Sequence, residues 1–92
     1  MNIAVVKRDG KIEKFSKAKI VKIAIATGLY PEKAEALASK VTSKVQAKKV
    51  SKIKSTDIRD LVLEELEKAD RYAAGLYAWY EKTKDAEFNK AS

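Results

Sequence analysis

Apolar residues recur along this chain in two rhythms. Ile3, Ala4, Val5 and Val6 form a short apolar run that includes β-branched residues, as strands favour. Asp9-Gly10 follows, and then Lys11, Ile12, Glu13, Lys14 and Phe15. Asp-Gly between two such runs signals a hairpin, because glycine tolerates a positive φ. Residues 1–15 are therefore expected to form a β-hairpin. A two-residue loop pairs Lys7 with Ile12 and Val6 with Glu13, which mixes polar and apolar residues on each face. A slip of one residue exchanges the faces.

From Ser16 onward the rhythm is helical. The Ser16 hydroxyl is placed to cap a first helix, with Phe15 and Ile20 in the two positions of a hydrophobic staple. Ile20, Val21, Ile23, Ala24 and Ile25 make this helix apolar over more than one face. Gly28 ends it as a C′ residue. Pro31 suits the first turn of a second helix, where its missing N–H costs nothing. Ala34, Leu37, Ala38, Val41 and Val45 then recur at amphipathic spacing. Lys40, Lys44 and Lys48 form a stripe on that helix, read as a solvated face. Residues 49–54 hold Val50 and Ile53 among lysines and fit a short third strand joining the hairpin.

Ser55 or Thr56 is expected to cap a third helix, with Asp57 at its positive end and a stripe of Ile58, Leu61, Val62 and Leu66. Glu64, Glu65 and Glu67 read as helix surface. A fourth helix starts near Asp70 and runs toward Phe88. Phe15, Tyr77 and Trp79 are expected in the core, and Gly75 marks a close approach of a neighbour. The resulting class is mostly helical α+β, a β-hairpin capping a four-helix bundle. Residues 1–88 form one domain, and residues 89–92 form a frayed tail.

Composition narrows the chemistry. Of 92 residues, 46% are apolar and 36% charged, which suits a small globular domain. No apolar run approaches the ~18 residues of a membrane span, and the first residues do not read as a signal peptide. A soluble cytoplasmic protein is expected. With no cysteine and no histidine, disulfides, thiolate nucleophiles, zinc ribbons and imidazole-based triads are excluded. No carboxylate pair is marked as convergent, so no enzyme activity is expected.

The net charge of +7 is uneven. Residues 1–54 carry 14 basic and 4 acidic side chains, and residues 55–92 carry 6 and 9. A basic half suits an anionic partner or a solvated lysine surface. The alternative function is a small basic nucleic-acid-binding protein. Against it, the chain has no helix-turn-helix signature, and its aromatic residues cluster in the acidic half. Neither GxxxxGK[ST] nor GxGxxG is present. A phosphate site would instead draw on Lys7 and Arg8 before the turn and Lys19 at the start of the first helix.

Three stretches carry a family resemblance. The first is Val5-Val6-Lys7-Arg8-Asp9-Gly10 with Glu13, Phe15 and Lys19-Ile20. The second is Ile53-Lys54-Ser55-Thr56-Asp57-Ile58 with Val62 and Leu66. The third is Ala74, Tyr77 and Tyr80. Together, over about residues 3–84, they resemble the ATP-cone family. These are regulatory adenine-nucleotide modules found at the start of ribonucleotide reductases and in a bacterial repressor of reductase genes. The resemblance implies a small β-cap over a helical bundle, with ATP or dATP between them, with or without Mg²⁺.

By the same resemblance, Lys7 and Arg8 match the basic pair that binds the nucleotide. Glu13 matches an acidic position near the nucleoside, and Lys19 the lysine opening the first helix. Ser55 falls where threonine is usual near the adenine. Arg59 falls at a further binding position, where arginine could add a phosphate contact. A terminal basic position falls on Lys82 or Lys84. Glu81 stands where the family often has arginine. No metal ligand is expected from protein side chains. The chain looks like a free-standing or excised cone, so the resemblance implies a non-catalytic nucleotide sensor. The expected partners are an adenine nucleotide and, through the helices, a second copy or another protein. Nucleic acid and membrane are not expected partners.

Overall fold

A computed structural model describes the backbone of residues 2–91 and the side chains of residues 2–82. Its first element is set by a turn. The Gly10 N–H donates to the Lys7 carbonyl at 2.9 Å, and the Lys7 N–H donates to Lys11 O at 2.8 Å. Three residues, Arg8, Asp9 and Gly10, therefore form the loop, one more than the expected two. Gly10, at φ +87°, supplies the left-handed position that closes such loops. Asp9 Oδ1 accepts from the Lys11 N–H at 3.0 Å.

The extra loop residue corrects the register. β1 (Ala4–Val6) pairs antiparallel with β2 (Ile12–Lys14), with Val5 opposite Glu13 and Val6 opposite Ile12. Ile3 and Val5 point inward and are buried, whereas Ile12 lies on the outer face, 61% exposed. β3 (Lys52–Lys54) joins β1 in parallel, with Val5 opposite Ile53, and the strand order is β2-β1-β3. A parallel neighbour needs a long crossover. α1 (Lys17–Ala26) and α2 (Pro31–Ala47) provide it.

Local signals in the sequence account for most helix ends. Ser16 Oγ accepts from the Lys19 N–H at 3.3 Å at the start of α1. The Gly28 N–H reaches Ile25 O, and the Leu29 N–H reaches Ala24 O, a Schellman motif with Gly28 at φ +107°. Pro31 opens α2 at its first turn. α3 (Ser55–Ala69) follows β3 with no loop, so Lys54 is its N-cap and neither Ser55 nor Thr56 caps it. Asp70 ends α3, and its Oδ1 accepts from the N–H groups of Tyr72 (2.9 Å) and Ala73 (3.3 Å) to start α4 (Arg71–Ala91).

The helices pack in chain order, α1 on α2, α2 on α3 and α3 on α4. The molecule is thus a mostly helical α+β fold with a three-stranded sheet and four helices. Its core joins Ile3, Val5 and Ile53 of the sheet to Val41, Val45, Val62 and Leu66 of the helices. None of the helices, over their described residues, is long and apolar enough to cross a membrane. The expectations for Lys84 and for the tail at 89–92 fall on residues whose side chains lie outside the description.

Four expectations about side chains need correction. Trp79 is 60% exposed, because it lies two residues, over half a turn, from the buried Tyr77. Among the described residues, no atom outside its own helix backbone and chain neighbours lies within 4 Å of a Cβ built at Gly75, so no described neighbour approaches closely there. Glu65 is buried, and Lys44 Nζ bridges it (3.1 Å) and Glu64 (3.1 Å) from α2 to α3. These pairs, Glu64 first, push the Lys44 ammonium above its ordinary value. The stripe is therefore not uniformly solvated.

Two stability outcomes follow from these contacts. Gly75→Ala should raise stability by about 0.5–1 kcal/mol in a denaturant titration. Lys44→Ala should lower Tm more than Lys40→Ala, because it removes a close cation from a buried carboxylate. Equal effects of the two lysine variants would contradict that ranking.

Candidate functional site

A cleft of about 510 Å³ opens between the inner face of the hairpin and the first turns of α1 and α3, with α4 as a further wall. That volume lies within the range of small-molecule sites. Its floor is apolar, built from Val5, Ile20, Ile23, Ile58 and Val62. Its rim is polar, with Lys7, Arg8, Lys14, Lys19 and Arg59 set against Asp9, Glu13 and Glu81.

Each rim residue is placed by the element that carries it. The corrected register puts Glu13 on the same face as Val5 and therefore over the cleft. Lys19 sits in the first turn of α1 behind the Ser16 cap. Lys19 Nζ reaches Glu13 Oε2 at 2.9 Å, and Lys7 Nζ lies 3.8 Å from the same oxygen. Two ammonium groups thus converge on one carboxylate. The Lys19 hydrogen bond is the main cause that holds the Glu13 carboxyl below its ordinary value of 4.5.

Arg8, at the tip of the turn, reaches across to α4. Its Nη2 donates to Glu81 Oε2 at 2.6 Å. This pair is well shielded, with side chains 25% and 14% exposed. Tyr77, one turn before Glu81 on α4, lines the same wall of the cleft. Burial, and then the nearby Glu81 charge, push the Tyr77 phenol well above its ordinary value, so it remains a donor. Ser55 and Arg59 line the cleft from the first turns of α3. One contact of Arg59 is to Asp60, at 3.3 Å.

Of the residues singled out in the sequence, Lys7, Arg8, Glu13, Lys19, Ser55 and Arg59 all line this one cleft. Ser16 lines it as well. Lys82 is exposed and is not among the lining residues, and the side chain of Lys84 is outside the description. Sequence reasoning treated Tyr77 as core only and Glu81 as a departure from a pattern. Their spacing of four residues on one helix is the signal that places them together. Among the described residues no group of three or more acidic side chains is arranged to hold a metal ion.

A basic rim over an apolar floor can bind an anionic ligand that also carries a flat or apolar part. The arrangement is that of a small ligand-binding module. Residues 3–85 match the family described as ATP cone domain, and the chain belongs to that family. ATP-cone domains are regulatory domains that take ATP or dATP as ligand, and they are not catalytic. No curated protein matches the chain.

The Glu13 contacts predict an acid response. A carboxyl with a depressed folded pKa contributes stability that is present above its unfolded value and is lost as pH falls through the folded one. Tm should therefore fall below about pH 4.5, and Glu13→Gln should remove part of that fall. Parallel Tm-against-pH curves for the two proteins would contradict the assignment.

Proposed function

We propose that this protein is a non-catalytic adenine-nucleotide sensor that binds ATP or dATP in the cleft under its hairpin. Lys7 and Lys19 neutralise phosphate oxygens, Arg8 and Arg59 add guanidinium contacts, and Mg²⁺ arrives with the nucleotide if it takes part. Ser55 and backbone groups read the base over the apolar floor, and Glu13 lies near the nucleoside. The observation that carries this reading is convergence. Six residues from four parts of the fold, two at the turn, one from β2, one from α1 and two from α3, line one cleft.

In this reading residues 1–88 act as one module in the cytoplasm, with the sheet as a cap over a four-helix bundle. Binding changes the contacts between the hairpin turn and the helices. The helices then present a changed surface to a second copy or a partner protein. Tyr72, Trp79 and Tyr80 on α4 are exposed and give that helix an apolar face. A ligand shifts such an equilibrium only through differential affinity for the two states.

Melting the protein in non-phosphate buffer with ATP, dATP, AMP or GTP, with and without Mg²⁺, tests the proposal. A ligand at 100 times its Kd adds about 2.7 kcal/mol, which raises Tm by roughly ten degrees in a domain of this size. ATP or dATP should give that shift and GTP little or none. Lys7→Ala combined with Arg8→Ala should abolish it while the protein still melts cooperatively. An undiminished ATP shift in the double variant would refute the site.

A further inference from the structure

Arg8 and Glu81 stand 73 positions apart and join the two walls of the cleft. The pair differs from the one at Glu13. Glu13 is 34% exposed and its lysines 48% and 60%, so solvent screens them and a phosphate can approach readily. The Arg8 and Glu81 side chains are 25% and 14% exposed, and their 2.6 Å contact is charge-assisted. A guanidinium presents a planar fork that suits phosphate and carboxylate alike. A phosphate entering the rim beside the turn therefore competes with a carboxylate already in place.

We propose that Glu81 is an internal competitor for ligand phosphate, whose carboxylate holds Arg8 until a polyphosphate takes it over. The inference rests on reading the cleft as a nucleotide site, and it adds the residue that sets the affinity and couples the ligand to α4. In the ligand-less state Arg8 ties the hairpin turn to α4. When phosphate takes the guanidinium, that tie is exchanged for one between turn and ligand. A ligand without phosphate leaves the tie in place.

Calorimetric titration of the whole chain with inorganic tripolyphosphate, ATP, GTP and adenosine tests this, using wild type, Glu81→Gln, Arg8→Ala and the double variant. Glu81→Gln removes the competing charge at nearly constant volume. It should bind tripolyphosphate and ATP about tenfold more tightly than wild type, the order of one charge-assisted hydrogen bond. Adenosine binding should not change. In the Arg8→Ala background the same substitution should gain less than about threefold, since the group competed for is gone. Should Glu81→Gln not melt cooperatively, Glu81→Asp, which keeps the charge on a shorter arm, should show a smaller gain in the same direction.

Tripolyphosphate binding no tighter in Glu81→Gln than in wild type overturns the inference, whatever ATP does. A full gain that persists without Arg8 overturns it too. If the gain appears as expected but neither protein prefers ATP to GTP, the competitor stands and the adenine-nucleotide reading fails.

Discussion

The register of the hairpin governs both the core and the cleft. Side chains alternate along a strand with a period of two, so one residue of slip would turn every inward group outward. Gly10, with its positive φ, allows a three-residue loop to set Val5 opposite Glu13. That pairing sends Ile3 and Val5 into the core. It also aims Glu13 at Lys19 and at Lys7. With the two-residue loop, Ile12 would turn inward and Glu13 would leave the rim. Packing and electrostatics thus depend on one backbone conformation.

The cleft is assembled from pieces that the sheet helps to bring together. β3 lies beside β1 in parallel and runs straight into α3. The first turns of α3, with Ser55 and Arg59, are therefore fixed relative to the hairpin by strand pairing. α1 enters through the Ser16 cap directly after β2. α4 is tied to the turn by the contact of Arg8 with Glu81. Opposite charges at the rim hold one another in place, so the cations are positioned before any ligand arrives.

Much of this was legible in the sequence because the signals are local. The cap at Ser16, the stop at Gly28, the start at Pro31 and the stripe from Ala34 to Val45 each depend on neighbours within a few turns. Lys7, Arg8, Glu13, Lys19, Ser55 and Arg59, which line the cleft, were singled out through resemblance to a family. Composition alone left a solvated lysine surface equally open. What was not legible depends on distant partners. Glu65 looked like surface until Lys44 on the neighbouring helix covered it. Trp79 looked like core by type, yet it points away from the face that Ala73, Ala74 and Tyr77 bury. Glu81 acquires its role only from Arg8, at the far end of the chain.

In the proposed function an adenine nucleotide binds in the cleft under the hairpin. Amide chemical-shift mapping of the ¹⁵N-labelled protein with ATP tests it most directly. The largest shifts should fall on Lys7, Arg8, Glu13, Lys19, Ser55 and Arg59, with smaller ones at Tyr77 and Glu81. Shifts centred on Lys40, Lys44 and Lys48, with the hairpin unmoved, would contradict it.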